Sequence, residues 1–287
     1  MTGAEGAMKN SPPWQLVLRG YQKAQDPAQR GRCQIWQAAI GLQGVDSLTP
    51  SSYFVSLVEK HILGKIKFPD LEKSLYRYYK WCKWSQEISH ETWEADLVSL
   101  HIAELLMDRS FHLDPREFKK IHHYLFNDVY DFAGDFRDYD IRKKEWILKG
   151  KSVSYADYDT IGPSLNAQFS AEQNFSYDGL SVRESIPHIA RFIAGVWLTH
   201  PYGEGNTRTT AVFLMRYLQS MGLRMKRDEF AEAWYFRNTL VRACYARPQD
   251  GITPDFQYLE RFLQNLLLGE QNPLRNQELH VDYPNID

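Results

Sequence analysis

Apolar residues recur at helical spacing along most of the chain, and strand-like alternation occurs in one place. From Cys33, the side chains of Ile35, Trp36, Ala39 and Ile40 share a face up to Gly44. Thr49 and Pro50 have the form of an N-cap and a first helical residue, and the helix they open carries Tyr53, Phe54, Leu57, Val58 and Leu63 before Gly64. A third segment from about Pro69 to Trp84 sets Leu71, Leu75, Tyr78 and Cys82 inward. Ser89 caps a longer helix through Met107, and Asp114-Pro115 starts another with Phe118, Ile121, Leu125 and Phe126 on its face. Ser185 to Thr199 buries Ile189, Phe192, Ile193, Val196 and Trp197, and Pro187 fits only near a helix start, which favours a cap at Ser185. Asn206 to Met221 follows and stops at Gly222, and two further helices run roughly from Asp228 to Tyr245 and from Pro254 to Leu268. The exception to the helical period is EWILKGKSVSY at 145 to 155, which alternates around Lys149-Gly150-Lys151 and predicts a β-hairpin. The expected fold is all-α with one small hairpin. Its divisions are a poorly ordered lead-in at 1–30, in which Trp14 to Tyr21 carries apolar residues able to dock, a small N-terminal helical module at 31–88, a larger domain at 89–270 and a frayed polar tail at 271–287.

Composition narrows the function classes. The 287 residues are 43% hydrophobic, enough for a sizeable core, and 34 basic against 36 acidic residues leave a net charge of −2. Neither sign dominates a long stretch, so no nucleic-acid partner is expected, and the aromatic run YRYYKWCKW is a packing surface rather than a base-stacking platform. No apolar run has the length of a membrane span, and MTGAEGAMKNSPP lacks the order of a signal peptide, so the expected location is the cytoplasm. Cys33, Cys82 and Cys244 are too few and too scattered for a disulfide framework or a zinc site.

The chemistry concentrates in HPYGEGNTR at 200–208. Gly203 and Gly205 allow backbone N–H groups to approach an anion, and Asn206, Thr207 and Arg208 open a helix whose first-turn amides and partial positive charge favour phosphate. Arg208 offers a planar fork for phosphate oxygens. Glu204, an acid in a positive cradle, is best explained as a Mg²⁺ ligand beside a polyphosphate, and His200 at the end of an apolar helix is placed to act as general base. A glycine-containing helix connection with a buried, satisfied histidine is the plainer alternative, and the number of matched positions argues against it.

The run resembles the signature of the Fic family, HPFx[D/E]GN[G/K]R. Tyr202 replaces the Phe, and Thr207 stands where Gly or Lys is usual. The similarity is closest over about 116–247 and extends over about 34–270, because WQAAIGLQGVDSLTPS is similar to the N-terminal helical module of one bacterial Fic subgroup. The resemblance implies a Fic-fold helical bundle around a helix, anion loop and helix, with the hairpin as a flap. Through Trp146, Ile147, Leu148, Ser152, Val153 and Ser154, that flap would align a target segment by adding it as a strand. It implies a protein adenylyltransferase that moves AMP from Mg-ATP to a Ser, Thr or Tyr hydroxyl of a target protein, the chain itself included. His200 would deprotonate the hydroxyl, Glu204 would hold Mg²⁺, Asn206 and the loop amides would bind phosphates, and Arg208 would steady the departing pyrophosphate. Tyr235 and Arg242 fall where the family places adenine contacts.

Three departures bear on this picture. Ala211 stands where many members carry a second Arg, and Thr207 adds a Cβ beside the phosphates. An inhibitory segment of the form [S/T]xxxE[G/N] is present only in degenerate form, SHETWE at 89–94. Trp93 takes the Glu position relative to Ser89, and Glu94 is displaced by one residue, about 100° around a helix. The expectation is therefore that no salt bridge locks the site. Transfer of UMP, a phosphoryl group or phosphocholine remains an alternative, as does a non-catalytic partner of toxin–antitoxin type. The target and the oligomeric state, a homo-oligomer included, stay open at this stage.

Overall fold

Helix boundaries in the computed structural model, which describes residues 12–85 and 89–283, follow the caps. The elements are α1 (Pro13–Arg19), α2 (Pro27–Gly41), α3 (Ser52–Ile62), α4 (Phe68–Ser85), α5 (His90–Met107), α6 (Pro115–Phe126), α7 (Ile161–Gln173), α8 (Val182–Thr199), α9 (Asn206–Ser220), α10 (Ala233–Cys244) and α11 (Gln257–Leu268). Asp26, Ser51, Ser89 and Asp114 each accept a first-turn N–H of α2, α3, α5 and α6, which satisfies a donor that the helix itself cannot. α8 starts earlier than Pro187 suggested. Ser181 and Glu184 form a reciprocal capping box, and Pro187 lies in the second turn, where it forgoes a single backbone bond.

α9 is the centre of the bundle. Every residue from Asn206 to Leu218 is buried, with α5, α6 and α8 packed around the helix. α8 in turn packs on α7, α10 and α11. The N-terminal helices join the same apolar cluster: Trp36 of α2 and Phe54 of α3 are fully buried in it, as are Phe213 of α9 and Phe236 of α10. Gly41 shows how closely they dock, since a Cβ there would lie 2.5 Å from the Phe230 carbonyl oxygen.

Four expectations need correction. No β-ladder forms among the described residues beyond a single bridge between Arg247 and Ile252, and the predicted hairpin is instead an excursion with a 3₁₀ turn at Trp146–Leu148. Ile147 and Leu148 are adjacent and both fully buried, so inside and outside do not alternate. The Leu148 and Lys149 N–H groups donate to the Glu145 and Trp146 carbonyls within the turn. Second, α7 had no counterpart among the helices expected from sequence. Third, the tail after Gln271 is anchored: Leu279, Val281 and Tyr283 are buried, and the Val281 N–H donates to the Ile147 carbonyl at 3.0 Å. Fourth, the lead-in contains α1, with Trp14 and Leu18 buried; residues 1–11 and 284–287 of these two segments lie outside the described residues. No helix among the described residues is long and apolar enough to cross a membrane.

Candidate active site

α8 delivers His200 by ending on it. The residue adopts a left-handed conformation, φ 44° and ψ 57°, and its N–H returns to the Trp197 carbonyl at 3.1 Å. That conformation is uncommon for a side chain bearing a Cβ, and Arg137 holds it. The guanidinium of Arg137 donates to the His200 carbonyl at 2.8 Å, to Tyr139 at 2.6 Å and to Ala156 at 2.5 Å, while its own N–H donates to Pro201 at 2.8 Å. The far side of the loop is closed by Asn206. Its Oδ1 accepts from the Tyr202 N–H at 3.0 Å and its Nδ2 donates to the Tyr202 carbonyl at 2.7 Å. Gly205 caps α9 at φ 77°, and a Cβ there would meet the Phe126 ring at 2.5 Å.

His122 buttresses the loop from α6. Its Nδ1 accepts from the Gly134 N–H at 2.8 Å, which assigns the ring proton to Nε2, and that atom donates to the Glu204 carbonyl at 3.1 Å. The ring stacks on buried Tyr202 with centroids 3.6 Å apart. Burial, joined by the nearby Arg208 charge, outweighs the Glu204 carbonyl and lowers the imidazole pKa to about 3, so His122 is neutral.

The His200 ring is different. It is 3% exposed, and neither ring nitrogen has a hydrogen-bond partner among the described residues. Burial first, then the charges of Lys143, Arg237 and Arg137, hold its pKa well below the ordinary histidine range. Tyr155 lies over it with centroids 4.1 Å apart, and Trp197 meets it edge-on. A neutral imidazole has one ring nitrogen able to accept a proton or a hydrogen bond.

A small cavity of about 80 Å³ adjoins this ring, lined by Val45, Asp46, Lys143, His200, Glu204 to Thr207, Trp234 and Arg237. Of the loop residues chosen from sequence, His200, Glu204, Gly205, Asn206 and Thr207 therefore converge on the cavity, and Gly203 and Arg208 do not line it. Glu204 is half exposed and its Oε2 lies 3.1 Å from Lys143 Nζ. The Thr207 hydroxyl oxygen accepts from the Trp197 indole N–H at 3.0 Å. Gly203 lies against the Tyr139 hydroxyl.

Arg208 does not line the cavity and is 1% exposed, with its guanidinium over the Phe126 ring. Its Nη2 is 2.7 Å from Glu94 Oε1, its Nε is 2.9 Å from Asp46 Oδ2 in an ionic contact, and Nη1 donates to Gln43 at 3.0 Å. Burial alone would lower its pKa, and Asp46 and Glu94 reverse that to a net rise. Against the expectation that no salt bridge locks the site, Glu94 pairs with an arginine of the loop. Trp93 occupies the register expected of the acid and packs on His90, Ser89 serves as the α5 cap, and Glu94 reaches Arg208 rather than position 211. Tyr130 completes the pair by donating to Glu94 Oε1 at 2.7 Å.

Tyr235 and Arg242 do not line the cavity. Tyr235 is buried, and Arg242 pairs with Asp255 at 3.6 Å beside a separate groove. Trp234 and Arg237, a helical turn apart on α10, take that place; their i, i+3 spacing was visible in the sequence, but nothing in it showed which face of α10 meets the loop. In the excursion, Ile147, Leu148 and Val153 are buried and Trp146 packs edge-on against His280. Ser152, Ser154 and Tyr155 instead line an open groove of about 460 Å³ with Asp140, Ile141 and Arg142. Among the described residues no cluster of three or more His, Cys, Asp or Glu side chains is arranged to hold a metal by itself.

Protein adenylyltransferase VbhT of Bartonella schoenbuchensis is 28% identical over 162 residues, 53% of this chain. The match spans 32% of VbhT, so the chain corresponds to about a third of that relative's length. Among solved structures, BepC, a VirB-translocated effector protein of Bartonella tribocorum with bound AMPPNP, superposes with a TM-score of 0.50 at 16% identity, covering 62% of this chain and 85% of BepC. At that identity the likeness speaks for the fold alone. The family model of the Fic/DOC family matches residues 112–218, the span that holds His122, Arg137 and the whole 200–208 loop, and the chain therefore carries a domain of the Fic/DOC family.

Proposed function

We propose that the chain is a protein adenylyltransferase, transferring AMP from Mg-ATP to a hydroxyl side chain of a protein. One observation carries the reading: a buried, neutral His200 with no partner for its ring nitrogens stands beside Glu204 and the N-terminus of a buried helix, around a single cavity. The name of the VbhT relative supports the same reading.

The residues fit the substrate and the ion. The first amides of α9 have no intrahelical acceptor and face the loop, where phosphate oxygens would supply one. Glu204 and Asp46 both line the cavity, and one or two carboxylates completed by phosphate oxygens is the ordinary setting for Mg²⁺. A bound Mg²⁺ would offset charge on the phosphates. His200 would take the proton of the incoming hydroxyl as the oxygen attacks in line. Arg137 and Asn206 contribute by fixing the loop that aims the base, and placement of this kind supplies much of the rate in phosphoryl transfer.

The cavity is smaller than the roughly 300–1,000 Å³ of typical small-molecule sites. Nucleotide binding therefore requires lining side chains such as Lys143 and Arg237 to move. Intact-mass analysis of the protein with Mg-ATP, alone and with candidate targets, tests the function. A gain of about 329 Da per AMP is expected on an acceptor, and not with His200→Ala. Labelling from UTP or CDP-choline but not ATP would replace the donor, and no labelling from any donor would refute transfer.

A further inference from the structure

Two cations line the cavity beside His200, Lys143 and Arg237. Arg208 is held outside it by Glu94 and Asp46. Arg237, on the second turn of α10, presents both Nη atoms to the Glu145 carboxylate at 2.6 and 3.0 Å. This parallel fork is how arginine takes any planar pair of anionic oxygens, phosphate included. Glu145 is 1% exposed. Its Oε1 also accepts from the Tyr155 hydroxyl at 3.3 Å, and Tyr155 is the ring that covers His200. Trp234, exposed on the same face, lies with its ring 5.3 Å from the Arg237 guanidinium.

We propose that Arg237 is the residue that receives the substrate's phosphate groups, and that Glu145 occupies it beforehand and, through Tyr155, keeps His200 covered until they arrive. The inference rests on the phosphate-transfer reading given above. A guanidinium engaged by phosphate cannot offer the same fork to Glu145, and a buried carboxylate without its cation is strongly disfavoured. Glu145 then turns toward water, Tyr155 loses its acceptor, and the ring leaves His200. Lys143, two residues before Glu145, is displaced with the segment and releases Glu204. Arrival of the anion and exposure of the base become one event, and the differential affinity of phosphate for the opened state drives it.

The test uses the full chain and inorganic triphosphate as the probe. Binding is measured by calorimetry, and His200 accessibility by diethylpyrocarbonate modification mapped by mass spectrometry. Glu145→Gln removes the competing charge with little change of shape. It should bind triphosphate about fivefold tighter or more, and its His200 should be modified about fivefold faster without ligand. Arg237→Gln should bind triphosphate about tenfold more weakly or worse, as expected for loss of a charge-assisted fork, while its His200 also becomes reactive. His122, fully buried on α6 against the same loop, should remain unmodified in both and so reports that the fold is intact. Wild-type values for both measurements in Glu145→Gln, or undiminished triphosphate affinity in Arg237→Gln, would overturn the proposal. Should Glu145→Gln fail to fold, Arg237→Gln decides. Triphosphate carries no nucleoside, so these results stand or fall separately from labelling by Mg-ATP.

Discussion

Arg208 is neutralised twice, and removing both carboxylates should be worse than the two single losses predict. Glu94→Gln leaves Arg208 with Asp46, and the amide oxygen still accepts from Tyr130 and the guanidinium. The loss is then that of one charge-assisted contact, about 1–3 kcal/mol. Asp46 is about one-third exposed at its side chain, so Asp46→Asn resembles loss of a half-solvated pair, about 1 kcal/mol or less. In the double variant the guanidinium, 1% exposed, has no counter-charge, and an uncompensated buried charge costs roughly 3–5 kcal/mol. The excess over the sum of the singles is the coupling that a double-mutant cycle isolates. At roughly 2–4 °C per kcal/mol for a domain of this size, the double variant should melt roughly 6–20 °C below wild type. Differential scanning calorimetry at constant salt reads all four proteins, and triphosphate or Mg-ATP should restore the double variant more than wild type, because an anion can then stand in for the lost carboxylates. A double variant that melts within about 2 °C of wild type, or shows strictly additive losses, would refute the account of Arg208 as a residue held by two acids.

Other outcomes follow from the loop. His200→Ala should lose about 10²–10⁴ in transfer rate yet shift the melting temperature little, since removing an unpartnered buried imidazole relieves desolvation while leaving a cavity; a large loss of stability with activity retained would contradict the base assignment. Gly205→Ala places a Cβ at φ 77° and 2.5 Å from Phe126, so left-handed strain and overpacking together should destabilise by roughly 2–5 kcal/mol, and an unchanged urea midpoint would rule out so close an approach of that turn to the ring. His122 and His200 both have folded pKa values below the unfolded one, so the unfolded state binds more protons in acid. Their contribution to stability is complete above the ordinary histidine value near 6.5 and is lost as pH falls, for His122 down to about 3. Calorimetry between about pH 7.5 and 5 should show a fall of about 1.4 kcal/mol per pH unit for each histidine below that value, with His122→Phe shedding one proton's share; an identical slope in that variant would count against a neutral His122.

The helices were largely legible because capping and periodicity are local. Asp114-Pro115 and Ser89 announce α6 and α5 by chemistry that needs no tertiary partner. α7 was overlooked although Ile161, Leu165 and Phe169 recur every four residues, since polar residues dilute the stripe. The excursion at 145–155 misled for the opposite reason: Lys149-Gly150-Lys151 has turn chemistry, but the apolar residues before it are consecutive, and Ile147 and Leu148 are both buried in the core, where the distant tail bonds to Ile147. The loop chemistry was readable because 200–208 is contiguous. Lys143, Trp234 and Arg237 reach the cavity, and Glu145 and Tyr155 reach Arg237 and His200 at its edge, from segments that only the fold brings together, and no spacing rule connects them. Glu94 was misjudged by treating α5 as a rotation about its own axis against a partner at 211, whereas the partner, Arg208, lies a turn closer to the loop.

The ionised side chains around His200 are partnered: Arg208 with Glu94 and Asp46, Arg237 with Glu145, Glu204 with Lys143. The last two pairs each join a residue lining the cavity to a segment distant in sequence, so they hold the cavity shut as well as pairing charge. A ligand with several negative oxygens and a divalent ion presents the same two signs, and it can replace Glu145 at Arg237 and Lys143 at Glu204 without leaving a charge stranded. A monophosphate without metal can satisfy one exchange but not both. Triphosphate with Mg²⁺ should therefore stabilise the protein against heat by more than triphosphate or Mg²⁺ alone, and more than their separate effects added together. Additive shifts in the calorimeter would mean that the two pairs open independently, and the segment carrying Lys143 and Glu145 would not then move as a unit.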